Sequence, residues 1–294
     1  MEFTGGWKGP YPDESAYSMA ARMAMYVITS SHYLTGIRMF EKNRPLAQYL
    51  VKPLKRSDLI RWGLEENAEN YKRYVLNHSS YPLYGTTLRK SRLNTLLSIM
   101  EGEELKDGRE KYLTRALGCT WMRKKSLCYC PACAKEEIEK HGEPYWHRKH
   151  QLPGVEVCLK HRLKLIESEM TLRFINHRFV PLIYELAIHG FGPETRMEDS
   201  FYIELASDVE WLLEHGLDLG GRENLEMMMG YHIHQRTLDP DRIYSQAGYV
   251  YGKTIERYFD QSESFLKWMP SAQNMSYLYL IMLAWSMGFR IKEL

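Results

Sequence analysis

The chain has 294 residues, of which 44% are hydrophobic and 26% charged, and its net charge is +2. This is the composition of an ordinary globular protein, and it excludes wholesale disorder. The first residues lack the basic start and apolar run of a signal peptide or anchor, and the most apolar stretch, residues 277–289, is shorter than the roughly 20 residues that span a bilayer.

The first hundred residues show the apolar periodicity of several short helices. One begins at Asp13 or Ser15, a second covers residues 32–40, a third follows Ser57 and Asp58 through residue 75, and a fourth starts at Ser91. A turn is predicted over residues 79–85. This pattern is compatible with a helix-turn-helix and equally with a plain helical bundle.

The most informative stretch contains two short knuckles, Cys130-Pro-Ala-Cys133 and Cys158-Leu-Lys-His161, separated by 24 residues. Each tight turn offers two ligands, and the loop between them brings the turns together, as a tetrahedral zinc site requires. Three thiolates and one imidazole fill every position of the tetrahedron and leave none for an activated water. The pattern therefore predicts one structural Zn²⁺ ion and not a hydrolytic metal centre.

Two other ligand sets stay open at this point. Cys128 could replace one ligand of the first knuckle, although this widens its spacing to four intervening residues. His147 and His150 could complete a two-Cys, two-His finger, but their spacing is shorter than such fingers use, and Cys158 and His161 would be left over. With three of the five cysteines assigned to metal, the expected compartment is a reducing cytosol.

Beyond the metal motif, residues 174–189 are apolar and partly β-branched, which predicts a strand that passes into a loop at Gly190. Helices are then predicted over residues 201–215 and 224–230, from an Asp239 cap, over residues 254–268, and over residues 275–287.

Basic residues concentrate around the metal motif. Residues 109–164 contain 13 Lys and Arg against 6 Glu, whereas the rest of the chain is net negative. A surface of this kind suits contact with phosphate backbones, although a solvated surface would show the same excess. The predicted nucleic-acid-binding residues are Arg123, Lys124, Lys125, Arg148, Lys149, Lys160, Arg162 and Lys164.

Catalytic motifs are absent from the sequence. It contains no phosphate loop, dinucleotide-binding glycine motif, zinc-protease helix or nucleophile elbow, and Cys119 and Cys128 have no evident base partner. No catalytic residue is predicted, and the protein is not expected to be an enzyme.

Three segments resemble the TniQ/TnsD family of transposon target-selection proteins. They are the opening Pro-Tyr-Pro-Asp-Glu-Ser at residues 10–15, the His-Ser-Ser-Tyr-Pro-Leu-Tyr at 78–84, and the metal motif with its Pro-Tyr-Trp-His-Arg at 144–148. Long TnsD proteins continue into further DNA-reading domains, so the chain is expected to be a short or C-terminally truncated member.

The resemblance implies a targeting role. Such proteins bind target DNA or dock on a CRISPR effector complex with its guide RNA, and then recruit the transposon's AAA+ ATPase. Their metal ligands correspond to Cys130, Cys133, Cys158 and His161. The alternative is a stand-alone, zinc-containing, sequence-specific DNA-binding transcription regulator. A homodimer is left open, no membrane partner is expected, and the expected location is the prokaryotic cytoplasm, at the nucleoid.

The predicted fold is mainly α, with small helical regions, in which a helix-turn-helix is left open, on either side of a central Cys3His zinc finger. The corresponding domains are an N-terminal helical domain over residues 1–108, a zinc-finger module over 109–170 and a C-terminal helical domain over 171–294.

Overall fold

The computed structural model describes residues 8–27, 31–40, 45–64, 68–85, 87–100, 124–235 and 277–294. These residues form two compact units. The first contains residues 8–81 and 124–203, and the second contains residues 82–99, 204–235 and 277–294. The predicted three-domain division stays a prediction, and its first boundary, at residue 108, lies outside the described residues.

The predicted mainly α fold is confirmed. Up to residue 100 the structure contains a short 3₁₀ helix at Leu46–Leu50 and the helices α1 (Ala16–Ala24), α2 (His32–Phe40), α3 (Arg56–Arg61), α4 (Ala68–His78), α5 (Tyr81–Gly85) and α6 (Lys90–Met100). The start of α1 follows from its cap, because the Ser15 hydroxyl accepts the backbone N–H of Ser18 at 3.1 Å.

Two predictions in this region are wrong. The single helix expected to run through residue 75 is two helices, because α3 ends at Arg61 and Gly63 adopts φ +71°, which a continuing helix cannot accommodate. The turn expected over residues 79–85 contains the short helix α5. Its apolar residues Tyr81 and Leu83 are buried, so packing favours helix where Pro82 and Gly85 suggest a turn.

Four short strands carry the central part of the first unit. β1 (Ser126–Tyr129) pairs antiparallel with β4 (Ile166–Thr171), and β2 (Val157–Cys158) pairs antiparallel with β3 (Leu163–Lys164). Helix α7 (Pro131–His141) directly follows β1 and ends at Gly142, whose φ of +83° is a left-handed C-terminal stop. A 3₁₀ turn, Lys149–Gln151, lies between α7 and β2.

The strand predicted in residues 174–189 is also wrong. The structure has two helices there, α8 (Leu172–Ile175) and α9 (Leu182–His189). Thr171 caps α8 by accepting the N–H of Phe174 at 3.3 Å, and Pro181 occupies the N-cap position of α9. Local capping therefore outweighs the β propensity of the isoleucines and valine in this stretch.

The second unit contains most of α6 and most of helix α10 (Ser200–His215), together with helices α11 (Arg222–Gln235) and α12 (Tyr277–Ser286). Its core includes Asp208, which is fully buried and accepts hydrogen bonds from Trp285 Nε1 at 2.7 Å and from Arg290 Nε at 2.7 Å. This network fixes the last residues against α10. The helices predicted from Asp239 and over residues 254–268 lie outside the described residues.

None of the helices in the described ranges has the length and apolarity needed to cross a membrane.

His78 makes the stability of the first unit depend on pH. Its Nδ1 lies 2.8 Å from the Glu14 carbonyl oxygen, and burial lowers its pKa from 6.5 to about 4. Between these two values the unfolded chain binds a proton that the folded chain excludes, so stability falls as the pH falls. From about pH 7 to about pH 5 this one group should cost about 2 kcal/mol.

The matched variant is His78→Gln, which keeps a hydrogen-bond donor but does not titrate. We expect urea denaturation to show a smaller loss of stability on acidification for the variant than for the native protein. Equal losses in the two proteins would contradict the assignment, because every other titrating group is common to both.

Candidate metal centre

The first knuckle lies at the start of α7. Cys130 is the N-cap residue, with extended backbone angles, Pro131 opens the helix, and Cys133 completes the first turn. Proline is well suited to this position because its missing N–H would be unpaired there in any case. The positive end of the helix dipole also favours thiolates at these two positions.

The second knuckle is the turn of the β2–β3 hairpin. Cys158 ends β2, and the N–H of Arg162 donates to the Cys158 carbonyl at 2.8 Å. Arg162 adopts φ +58°, which closes the turn tightly and brings His161 back toward Cys158. A later segment of the chain also hydrogen-bonds the hairpin, because the N–H of Lys164 donates to the Thr195 carbonyl at 2.8 Å.

The four predicted ligands form one cluster. The donor atoms of Cys130, Cys133, Cys158 and His161 all lie within 4.8 Å of one another. The Sγ atoms of Cys133 and Cys158 are 3.7 Å apart. His161 Nδ1 lies 3.5, 3.3 and 3.6 Å from the Sγ atoms of Cys130, Cys133 and Cys158, respectively.

These separations match a tetrahedral zinc site. With Zn–S near 2.3 Å and Zn–N near 2.0–2.1 Å, tetrahedral angles place two sulfurs about 3.8 Å apart, and a sulfur and a nitrogen about 3.6 Å apart. Cys130, Cys133 and Cys158 are only 1%, 6% and 4% exposed. The donor set therefore fits a closed structural zinc ion, with no access for a substrate.

The surroundings of the cluster also suit a metal. The other ring nitrogen of His161, Nε2, lies 3.0 Å from Glu136 Oε1, which orients the imidazole so that Nδ1 faces the sulfurs. Hydrogen bonds with Cys130 and Cys133 lower the pKa of Cys158. Hydrogen bonds with Cys130 and Cys158 raise the pKa of Cys133, so a cation would be needed to hold all three sulfurs as thiolates, the form of cysteine that binds metals.

The residues that the two other ligand sets would add, Cys128, His147 and His150, lie outside this cluster. Cys128 is buried in β1, where its N–H donates to Gln151 Oε1 at 3.0 Å and its carbonyl accepts from Gln151 Nε2 at 2.8 Å. His150 is buried and hydrogen-bonds Cys158, so it supports a ligand. That Cys130, Cys133, Cys158 and His161 bind zinc stays a prediction.

A second group of metal-type ligands, Cys133, Glu137 and His147, lies next to the first and shares Cys133 with it. His147 Nε2 pairs with Glu137, and its Nδ1 lies 3.5 Å from Asp13 Oδ2. Burial lowers the pKa of His147, but the hydrogen bonds to Asp13 and Glu137 outweigh burial and raise it to about 10. An imidazolium has no lone pair for a metal, so we assign these side chains to an ion-pair cluster. The cluster consists of Asp13, Glu137 and His147, and we call it the His147 clamp.

The N-terminal segment is part of the same structure. The N–H of Ser15 donates to the Trp146 carbonyl at 3.0 Å, the N–H of Arg148 donates to the Asp13 carbonyl at 2.7 Å, and Glu14 and His147 form a β-bridge. Sequence reasoning singled out both segments as family-like motifs but missed that they pair with each other. Their separation of more than one hundred residues left no local signal.

The predicted basic surface divides into buried and exposed residues. Lys124 is only 8% exposed, and its Nζ donates to the carbonyl oxygens of His150, at 3.0 Å, and Val155. Arg148 is buried, and its guanidinium pairs with Asp13 at 3.0 Å and donates to the Ser79 carbonyl at 2.9 Å. Both side chains therefore make their contacts in the interior of the first unit.

The other predicted residues are more accessible. Lys125, Arg162 and Lys164 are exposed, and Lys149 is half-buried. Lys160 is exposed but pairs with Glu136, and Arg123 lies outside the described residues. Nucleic-acid binding by the exposed members stays a prediction.

Comparison with known proteins relates the chain to a protein family and to a transposition protein. The TniQ family model matches residues 7–165, more than half of the chain. The chain is also 26% identical over 157 residues to the Escherichia coli protein described as transposon Tn7 transposition protein TnsD. This second match covers 52% of the chain but only 29% of TnsD, so the chain spans less than a third of that relative.

Proposed function

Because the chain belongs to the TniQ family, we propose that it is a non-catalytic target-selection protein of DNA transposition, which binds target DNA and recruits the transposon's AAA+ ATPase. The family match carries this proposal. The matched segment includes the N-terminal segment, the His147 clamp and all four residues of the Cys3His cluster. The similarity to a Tn7 transposition protein supports the same process.

The chemistry proposed for the Cys3His cluster is structural. One Zn²⁺ ion bound by Cys130, Cys133, Cys158 and His161 would tie α7 to the β2–β3 hairpin. With four protein ligands the ion has no open position for a water molecule, so it would hold the chain without catalysing a reaction. This supports a scaffold that assembles other molecules.

The hairpin turn supplies the proposed DNA contact. Arg162 and Lys164 are exposed on either side of Leu163, at the outer edge of the cluster. Because the proposed ion fixes the turn, these cations would be presented to a phosphate backbone at little entropic cost. Lys125, which directly precedes β1, is also exposed and is a further candidate for a phosphate contact.

Replacing Arg162 and Lys164 together by alanine should weaken duplex binding. It should also reduce the slope of log affinity against log salt concentration by about 0.9 for each phosphate contact that is lost. The measurement is fluorescence anisotropy with a labelled duplex over a series of salt concentrations. Lys140→Ala, which removes an exposed lysine from the C-terminal end of α7, is the matched control. A salt slope equal to that of the control would remove the hairpin turn from the proposed interface.

The recruitment part of the proposal is tested by a pull-down on immobilised DNA with and without the AAA+ ATPase. A target-selection adaptor should retain the ATPase on DNA and bind more tightly in its presence. Adding a CRISPR effector complex with its guide RNA to the same assay distinguishes RNA-guided docking from direct DNA targeting. Retention of no ATPase under any of these conditions would contradict the proposal.

The second candidate, a stand-alone DNA-binding regulator, is favoured by the exposed cations around a closed metal cluster. A regulator should bind a defined duplex by itself about 10³-fold or more tightly than non-specific DNA. Selection of bound sequences from a random duplex pool by the isolated chain tests this. Enrichment of a single sequence without the ATPase would favour the regulator.

A further inference from the structure

A second basic surface lies on α8 and the turn that follows it, and Lys125 is the one residue that it shares with the surface predicted from the sequence. The helix buries Ile175 alone among its four residues, so its remaining side chains are at least partly accessible. Phe174 is 38% exposed, which is unusual for a phenylalanine and means that part of its ring faces solvent. The α8 surface consists of His32, Lys125, Arg173, Phe174, His177 and Arg178.

Contacts hold the centre of this surface together. The Arg178 guanidinium lies over the Phe174 ring, 4.0 Å from its centroid. The backbone of this turn is fixed to the core, because the Tyr17 hydroxyl donates to the Arg178 carbonyl at 3.0 Å. The arginine and the phenylalanine therefore present a rigid pair on an ordered turn.

His32 and Lys125 lie at the edges of the same surface. The N–H of Phe179 donates to His32 Nδ1 at 3.4 Å, and burial together with the nearby charge of Arg178 lowers the pKa of His32. On the other side, the N–H of Leu172 donates to the Lys125 carbonyl at 2.9 Å. These backbone contacts bring α2, α8 and the start of β1 together within the first unit.

The charge of this surface has one sign. The two segments that supply most of it, residues 31–40 and 172–181, contain no Asp or Glu. The acidic residues that precede α8, Glu167 and Glu169, lie further back on β4. Residues 172–178 also lie beyond the segment that the family model matches, so the match assigns nothing to them.

We propose that the α8 surface binds an unpaired nucleic-acid strand, with its cations on the phosphates and a base stacked against the Phe174–Arg178 pair. An exposed aromatic ring backed by arginine can stack on any unpaired base, whereas the bases of an intact duplex are already stacked on one another. The proposal rests on the proposed function, because target selection would bring this protein to such strands. Single-stranded DNA and RNA share the chemistry that this surface recognises.

The test uses the full chain and fluorescence anisotropy with labelled oligonucleotides of about 16 nucleotides, the upper end of a typical site size. The three ligands are a DNA strand, an RNA strand of the same sequence and the corresponding DNA duplex. Phe174→Ala should weaken single-strand binding by about fivefold or more, while its salt slope stays unchanged. Arg178→Ala should reduce that slope by about 0.7, because it removes one phosphate contact.

Two further variants make the test specific. Arg178→Lys keeps the charge but loses the flat guanidinium, so it should retain the salt slope and still weaken binding. It also carries the test if Phe174→Ala does not fold. Lys140→Ala, on α7, should leave single-strand binding unchanged. A loss confined to the RNA strand would identify RNA as the ligand, and equal losses on both strands would identify the shared chemistry.

Three results would overturn the proposal. The first is native-like single-strand binding by both Phe174→Ala and Arg178→Lys. The second is a loss of duplex binding in these variants that equals their loss of single-strand binding. The third is displacement of the strand by a polyglutamate peptide as readily as by an unlabelled strand. The last would show that the surface recognises negative charge alone. Failure of the proposed function is a separate result, because it is read from ATPase retention and from the Arg162 and Lys164 variant.

Discussion

Replacing Cys158 by serine is expected to abolish zinc binding and to unfold the first unit. The apparent binding free energy of a structural zinc ion, about 10–16 kcal/mol, is as large as the whole stability of a typical domain, about 5–15 kcal/mol. Cys158 is the proposed ligand on β2, and its sulfur lies 3.7 Å from the Cys133 sulfur and 3.6 Å from His161 Nδ1. Its loss would leave the buried Cys130 and Cys133 and the half-buried His161 without a common ion.

The measurement is the zinc content of the purified protein, which should fall from about one ion per chain to nearly none. Circular dichroism and limited proteolysis should report unfolding in parallel. Cys128→Ser is the matched control, because Cys128 is equally buried but lies outside the cluster. A Cys158→Ser protein that keeps its zinc and its resistance to protease would refute the metal assignment.

Replacing Arg148 by alanine is expected to destabilise the first unit by about 3–5 kcal/mol, the usual effect of removing one partner of a buried ion pair. Arg148 donates to an Asp13 carboxylate oxygen at 3.0 Å and to the carbonyl oxygens of Leu76 and Ser79. Without it, Asp13 loses one of its charged partners and keeps His147, and the carbonyl oxygens of Leu76 and Ser79 lose a donor.

Urea denaturation of zinc-saturated protein measures this loss. Arg162→Ala is the matched control, since an exposed arginine should change stability by less than about 0.5 kcal/mol. The two replacements should therefore have different effects: Arg148→Ala should lower stability, and Arg162→Ala should weaken DNA binding. Normal stability with weakened DNA binding in Arg148→Ala would instead place Arg148 in the nucleic-acid interface.

The Cys3His cluster could be predicted from the sequence because its information is local. Each knuckle contributes two ligands within four residues, so spacing alone limits the choices. The residues that contact the proposed ligands could not be predicted from the sequence in the same way. His150 contacts Cys158 from another turn, and Glu136 reaches His161 from one turn further along α7.

The basic surface shows why charge counts are a weaker guide. Lys124 and Arg148 belong to the basic stretch in sequence, yet the folded chain buries both. Asp13, the acidic partner of Arg148, lies 135 residues away in the chain. A count of charges in a sequence window leaves out a partner that lies so far away in the chain. The count therefore overestimates the number of cations that remain at the surface.

The misassigned helix α9 has a similar cause. Its β-branched residues, Ile183 and Ile188, favour a strand by propensity, whereas the helix is set by Pro181 at its start and by the buried Leu182 and Leu186 one turn apart. Propensity is a weak guide when packing of this kind opposes it. Gly63 is a clearer signal for the break between α3 and α4, because it lies inside the apolar stripe that predicts one helix.

The pairing of residues 13–15 with residues 146–148 also has a consequence for biosynthesis. A ribosome adds about 5–20 residues per second, so the early segment emerges roughly 10 s before the residues that it must contact. During this interval α1, with its buried tyrosine and methionines, lacks the contacts that Trp146, Arg178 and Val180 supply to its residues. Cotranslational maturation of the first unit therefore waits for most of its sequence, and a nascent chain halted before Trp146 should be digested readily by protease.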